Sequence, residues 1–138
     1  MSYKIPVLFV CTGNSARSQI TEALLRHTDS QNFEVASTGT NPKPINPKAL
    51  DVLEKAGVST EGLYSKSLET LADRRFDVVI TLCDKTAQEC QLLANPAEVF
   101  AWNFEDPSAS SDPKAFEHTL QAIHERIKLF VLVKTKRN

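Results

Sequence analysis

The sequence predicts an α/β fold built on a parallel sheet, and three observations carry that prediction. Short apolar runs alternate with segments of helical periodicity, giving the order βαβαβαβα. The first run, Ile5-Pro6-Val7-Leu8-Phe9-Val10, is continuously apolar, the mark of a strand buried on both faces. Helix start and stop residues, Asn46-Pro47, Gly57 and Asp112-Pro113, fall between the runs. Parallel strands need right-handed crossovers, so helices are expected on both faces of the sheet. A functional site is then expected at the carboxyl ends of the strands.

Pro6 is tolerable near the beginning of the first strand. A helix follows over Ser18 to His27, with Ile20, Ala23, Leu24 and His27 at helical spacing. Phe33-Glu34-Val35-Ala36-Ser37 reads as the second strand. Asn46 is the N-cap and Pro47 the first residue of a second helix. Ala49, Leu50, Leu53 and Ala56 form its apolar face, and Gly57 supplies its stop. Ser67 to Arg74 is expected to form a short helix. Phe76 to Leu82 is a third buried strand, and Val99 to Trp102 a short fourth. Asp112-Pro113 opens the last helix, whose Phe116, Leu120, Ile123, Ile127 and Phe130 step by helical intervals.

A chain of 138 residues without repeats or a linker is expected to form a single domain over 1–138. Hydrophobic residues at 41%, charged residues at 24% and a net charge of -1 point to no nucleic-acid or membrane partner. The basic tail Lys134-Thr135-Lys136-Arg137-Asn138 reads as a solvated C-terminus. Ile5 to Cys11 is too short for a secretory signal or a membrane span, so a cytoplasmic location is expected. In a reducing compartment, Cys11, Cys83 and Cys90 are not a disulfide framework; they are either buried apolar residues or redox and catalytic groups.

The segment Cys11-Thr12-Gly13-Asn14-Ser15-Ala16-Arg17-Ser18 lies where the first strand ends and a helix begins. Such a loop points several backbone N–H groups into one concavity, which binds anions. Gly13 frees the backbone, and Asn14 tolerates the left-handed region better than most residues. Arg17 offers a planar fork matching two oxygens of a tetrahedral oxyanion. Cys11 sits among these donors near the positive end of a helix, surroundings that favour a nucleophilic thiolate. Ser18 has a hydroxyl proton to donate to the sulfur. The loop from Thr12 through Ala16, together with Arg17, is therefore the expected oxyanion cradle, and Cys11 the expected nucleophile.

Cys11 to Ser18 resembles the phosphate-binding loop of the low-molecular-weight protein tyrosine phosphatases and of their relatives, the thioredoxin-coupled arsenate reductases. The similarity runs through essentially the whole chain. It implies the strand order 2-1-3-4. Ser37-Thr38-Gly39 resembles the segment after strand two of that family, and Glu105-Asp106-Pro107 its general-acid loop. Asp106 also has a case of its own. A leaving oxygen needs a proton that neither Cys11 nor Arg17 gives, and an Asp before Pro107 is biased to an extended loop.

Cys83 ends the third strand. If that strand adjoins the first, Cys83 emerges beside the oxyanion loop, since neighbouring strands lie about 4.8 Å apart. Thr81-Leu82-Cys83 with the later Cys90 resembles the redox segment of the arsenate reductases. The alternatives are two small buried residues or part of a metal site. Zinc prefers four ligands at short paired spacings, and His27, His118 and His124 lie far from the cysteines in sequence, so no metal or cofactor is expected.

The Cys83/Cys90 pair and the absence of aromatic residues in Pro107-Ser108-Ala109-Ser110 favour reduction of arsenate over hydrolysis of phosphotyrosine. The resemblance implies attack of Cys11 on arsenate, a transient Cys11–Cys83 disulfide, then a Cys83–Cys90 disulfide reduced by a thioredoxin-type partner. A phosphatase working through a phosphocysteine is the alternative, and a non-catalytic oxyanion sensor the second. Two departures from the family stand out. Ala16 replaces a frequent cysteine, and Lys66 stands where many reductases carry an acidic residue of a potassium site. Asp84 permits a helix over 84–89 that must unwind before Cys83 and Cys90 join, because a helix holds them about 10 Å apart and a disulfide needs about 7 Å or less.

Overall fold

The computed structural model describes residues 4–71, 74–82 and 98–135. Its strands are β1 (Ile5–Cys11), β2 (Phe33–Gly39), β3 (Val78–Thr81) and β4 (Glu98–Ala101). Its α-helices are α1 (Arg17–Thr28), α2 (Pro47–Lys55) and α3 (Ala115–Thr135), with 3₁₀ turns at Leu68–Leu71 and Pro107–Ala109. The strands form one sheet in the order β2-β1-β3-β4, every pair parallel, as the family resemblance implied.

β1 is central, and Val7, Leu8, Phe9 and Val10 are each no more than 1% exposed, which is why the run is apolar without alternation. Val7, Phe9, Val78 and Ile80 face the main core, formed with α1, α2 and α3. Leu8, Val10, Ala36, Phe76 and Val79 face the other way, where Leu71 of the first 3₁₀ turn packs on them. Among the described residues the helical cover is thus unequal: three α-helices on one face and a 3₁₀ turn on the other.

α3 buries Phe116, Leu120, Ile123, Ile127 and Phe130, the whole stripe read from the sequence. Phe130 meets Phe33 with the rings tilted and Trp102 edge-on, tying α3 across β2 and the end of β4. The Asn46 side chain accepts from the Lys48 amide at 2.9 Å, so α2 starts at its expected cap. Its buried face differs from the expectation: Ala49, Val52 and Leu53 are buried, while Ala56 caps the helix in solvent. The i, i+3, i+4 stripe therefore ends one turn earlier than the apolar letters suggested. The helix expected over Ser67 to Arg74 is a single 3₁₀ turn over Leu68–Leu71 within the described residues. β3 spans only Val78–Thr81, although Phe76 and Leu82 on either side are buried. β4 starts at Glu98 and is exposed throughout, as an edge strand next to β3 alone.

Candidate active site

The carboxyl ends of β1 and β3 and the amino end of α1 converge on the loop from Cys11 to Ser18. Cys11 is the last residue of β1 and is 3% exposed. The order β2-β1-β3-β4 reverses direction at β1, so the loop sits at the switch point of the sheet.

The loop is held from outside by its carbonyls. The Thr40 amide donates to the Cys11 carbonyl at 3.3 Å and the Asn41 amide to Thr12 at 2.8 Å. The Lys43 amide donates to Gly13 and the Asn46 amide to Ser15, both at 2.9 Å. Residues 40–46 thus form a strap that takes up the carbonyls of Cys11, Thr12, Gly13 and Ser15. At α1, Ala16 is the N-cap residue with no side-chain cap bond, and the first turn holds no acidic residue. The free amides of a helix start are left for an anion.

Asn14 is the hub of the inner layer. It is fully buried and is the one non-glycine residue at positive φ among those described, at 48°. This is the left-handed position its residue type suggested. Its Nδ2 donates to Ser18 Oγ at 2.8 Å and to Ser37 Oγ at 2.9 Å, and its Oδ1 accepts from the Lys66 amide at 2.8 Å. Its carbonyl accepts from Gln19 Nε2 and Ser65 Oγ, both at 2.9 Å. Ser18 Oγ, which accepts from Asn14, lies 3.0 Å from Cys11 Sγ. A thiolate only accepts, so Ser18 is the donor to that state.

Ser37 passes the chain on, donating to Glu22 Oε1 at 2.6 Å. Glu22 is 2% exposed and also pairs with Arg26 at 2.8 Å and with Lys66 Nζ at 3.7 Å. Lys66 Nζ donates to the Tyr64 carbonyl at 3.0 Å and lies 4.2 Å from the centre of the Tyr64 ring. Burial pushes the Lys66 ammonium below the ordinary lysine range, and the Glu22 carboxylate opposes that push.

Gly13 is not at positive φ. A Cβ there falls 3.2 Å from Ser15 Oγ and at ordinary contact distance from Ser15 Cβ and N, so it asks only for a small shift of Ser15, and the expected backbone freedom is not what this position uses. The glycine with no room is Gly39, where a Cβ falls 2.6 Å from the Thr12 carbonyl and 2.9 Å from the Asn14 amide. The sequence singled out Gly39 only through the family resemblance. The strap was missed altogether, although Pro42, Pro44 and Pro47 within one short connection mark a stiff segment.

Arg17 bridges the two sides of the site. Its Nη1 donates to the Phe104 carbonyl at 2.9 Å and reaches the Leu82 carbonyl at 3.5 Å. Its Nη2 lies 4.0 Å from Asp106 Oδ2. Asp106 Oδ1 accepts from the Ser108 amide at 3.0 Å and from Ser108 Oγ at 2.7 Å, capping the second 3₁₀ turn. One carboxylate oxygen is held, and the other faces Arg17. Cys11, Thr12, Gly13, Ser15, Ala16, Arg17 and Asp106 line one cavity of about 320 Å³, joined by Lys43 and Ser108, which the sequence reading did not include. Asn14 and Ser18 stand behind its wall. Cys83 and Cys90 lie outside the described residues, as does the helix expected over 84–89.

His27 and His118 are exposed, and His118 pairs with Asp112 at 3.5 Å. No group of three or more His, Cys, Asp or Glu side chains among the described residues is placed to hold a metal.

The chain is 33% identical over 135 residues to an arsenate reductase of Shouchella clausii, covering 94% of this chain and 96% of that protein. An arsenate reductase solved in a phosphate-binding state superposes with a TM-score of 0.79 at 26% identity, covering 94% of this chain and 98% of that one. A thioredoxin-dependent arsenate reductase of Corynebacterium glutamicum superposes with a TM-score of 0.75 at 30% identity, covering 94% of this chain and 61% of that one. The family of low molecular weight phosphotyrosine protein phosphatases matches residues 6–138. That match starts inside β1 and takes in the loop, the strap, the Asp106 turn and α3: the chain belongs to the low molecular weight phosphotyrosine protein phosphatase family.

Proposed function

We propose that this chain is an arsenate reductase working through Cys11 and an internal disulfide relay, and that residues 1–138 act as one domain. The observation that carries this reading is the likeness to an arsenate reductase over 94% of the chain. The geometry at Cys11 supplies the nucleophile: a buried sulfur at the base of the loop, 3.0 Å from Ser18 Oγ, which donates to it in the thiolate state. The arsenate reductases among its relatives favour arsenate as the oxyanion.

In the proposed sequence the Cys11 thiolate attacks arsenic while Arg17 and the amides of Thr12 to Ala16 hold the oxygens. A sulfur–arsenic bond forms, one arsenic–oxygen bond breaks, and Asp106 protonates the departing hydroxyl, which leaves as water. Cys83 then attacks Cys11 Sγ. The Cys11–Cys83 disulfide forms, the sulfur–arsenic bond breaks, and its electron pair reduces arsenic to the arsenite level. Cys90 attacks Cys83, freeing Cys11 and leaving Cys83–Cys90. An external dithiol of thioredoxin type reduces that disulfide, and the name of the Corynebacterium relative supports such a partner. Leu82, the residue before Cys83, is tied to Arg17 by its carbonyl, which supports Cys83 as the resolving thiol. A cytoplasmic location suits a thiol relay. No helix among the described residues is long and apolar enough to cross a membrane.

The second reading is a phosphatase, favoured by the family's own description and by a cradle that suits phosphate equally well. Turnover of arsenate with and without thioredoxin and its reductase separates the two. Arsenite produced only with the complete reducing system is the expected result. Hydrolysis of a phosphate monoester without any arsenite overturns the reductase reading.

A further inference from the structure

Four of the residues that line the cavity above Cys11 carry titratable side chains: Cys11, Arg17, Lys43 and Asp106. Arg17 is the cation the family motif supplies, and it is heavily committed. Its Nη1 holds the Phe104 carbonyl at 2.9 Å, and its Nη2 stands 4.0 Å from the Asp106 carboxylate. With Asp106 carrying the proton it delivers, Arg17 is the one cation facing the reacting thiolate in the cavity without Lys43. A multiply charged oxyanion entering such a cavity finds no net positive charge from side chains, and only the backbone amides in surplus.

Lys43 alters that balance. Its backbone is fixed to the wall of the site: its amide donates to the Gly13 carbonyl at 2.9 Å, and its own carbonyl accepts from Ser65 Oγ. Pro42 and Pro44 flank it, so the neighbouring φ angles are locked and Lys43 itself is confined to extended backbone. The residue is exposed and makes no ion pair with a carboxylate among the described residues. A rigid anchor therefore carries an unneutralised ammonium on a flexible stem at the rim of an anion cavity. A lysine kept only for solubility needs neither the two prolines nor the bond to the loop that binds the anion.

We propose that Lys43 is a second cationic substrate-holding residue, which captures a multiply charged tetrahedral oxyanion at the mouth of the site and hands it to Arg17 and the loop amides. The inference rests on the oxyanion-binding reading of the Cys11 loop and deepens it. It assigns capture to Lys43 and leaves the chemistry to Cys11 and Asp106, so its removal acts more on KM than on kcat.

Calorimetric titration of the full chain with inorganic phosphate tests the assignment in wild type, Lys43→Met, Lys43→Arg and Lys43→Glu. A charge contact near solvent leads us to expect about 2–10-fold weaker binding in Lys43→Met, a greater loss in Lys43→Glu and recovery in Lys43→Arg. The dependence of affinity on salt is expected to be shallower in Lys43→Met. The kcat/KM for arsenate is expected to fall in parallel, mainly through KM. Equal phosphate affinity in Lys43→Met and Lys43→Glu overturns the proposal. So does a loss of affinity matched by a fall in melting temperature in all three variants, which makes Lys43 a structural part of the strap. Phosphate binding that depends on Lys43 in a protein that reduces no arsenate supports this inference and removes the reductase reading. A wild type that binds no phosphate overturns the assignment to Lys43, and the arsenate turnover assay then decides the reductase reading by itself.

Discussion

The two sides of the site are held in opposite ways. The Cys11 side is buried and tied at nearly every residue: strap amides take its carbonyls, Asn14 binds five partners, and Gly39 presses against its backbone. The Asp106 side is a turn at the surface. The Asp106 side chain is 43% exposed, and its hydrogen bonds are both to Ser108, its neighbour along the chain. Pro107 is buried beneath the turn, and Arg17 holds the Phe104 carbonyl, so the turn is anchored to the loop at its base and open at its tip. Charge stabilisation requires donors fixed before the reaction, because reorganising them during it raises the barrier. Proton delivery to a departing group requires reach, which a locally capped turn retains.

If that contrast is right, damage to the rigid side stops the reaction and damage to the exposed side slows it. Cys11→Ser is expected to abolish turnover while phosphate still binds, because amides and Arg17, not the sulfur, make the cradle. Measurable turnover in Cys11→Ser defeats the nucleophile assignment. Arg17→Lys is expected to cripple activity as well. A lysine cannot hold the Phe104 carbonyl and an oxyanion with one planar fork.

Asp106→Asn keeps the shape of the turn and removes the proton. The first covalent step is expected to slow by about 10²–10⁴-fold, the scale of a positioned acid. The deficit should shrink on phosphate esters with good leaving groups, measured as single-turnover rates. A uniform deficit on all substrates makes Asp106 a cap for Pro107–Ala109 and nothing more.

Gly39→Ala probes the rigid side without touching a reacting atom. The added Cβ falls 2.6 Å from the Thr12 carbonyl, so β2 or the loop has to move. Overpacking of this kind costs about 1–3 kcal/mol, read from the denaturant midpoint. Phosphate affinity should fall with it, since the displaced groups are the cradle itself. Normal stability and affinity in Gly39→Ala mean that the loop is softer than its ties suggest.

How much of this was legible in the sequence follows from the range of each interaction. The parallel sheet, the central apolar β1 and the α3 stripe were readable because periodicity reports burial directly. The strand order was not; it came from family resemblance, since no local pattern records which strands are neighbours. Cys11, Asn14, Arg17 and Ser18 were readable because they share one contiguous loop whose residue types match its chemistry. Gly39, Lys43 and the strap were not, because their roles arise from a register between β2 and the loop that only the fold creates. β4 was legible as a strand, and its place at the edge was not. Val99 and Phe100 are apolar, yet they are 50% and 36% exposed, because the strand lies at the sheet edge. Composition cannot tell an edge from a centre when both read as strand.

Lys66 gives the finest test of the contrast, because it stiffens the rigid side from behind. Its amide holds Asn14, and its ammonium faces Glu22, which also holds Ser37. A tethered cation in that position leaves a monovalent metal ion little to add, so exchanging potassium for sodium should leave the rate unchanged. Strong potassium activation contradicts this role. Lys66→Met leaves Glu22 paired with Arg26 at 2.8 Å and removes the ammonium's burial penalty together with its bond to the Tyr64 carbonyl, so the change in stability at neutral pH should be small, about 1 kcal/mol or less. The pH dependence carries the sharper signature. Burial holds the folded-state ammonium below the ordinary value of 10.5, so the unfolded chain binds that proton more tightly than the folded one. The burial penalty is therefore fully present below the folded pKa and is relieved as pH rises from that value towards 10.5. Across this alkaline window wild type should gain stability relative to Lys66→Met, while below it the difference should stay flat. Denaturant midpoints of the two proteins, compared from neutral pH to the lysine range, measure this directly because their other titrating groups are the same. A difference that is flat through the whole range means that Lys66 is solvated, and that Asn14, Ser37 and Glu22 keep the nucleophile loop in shape without it.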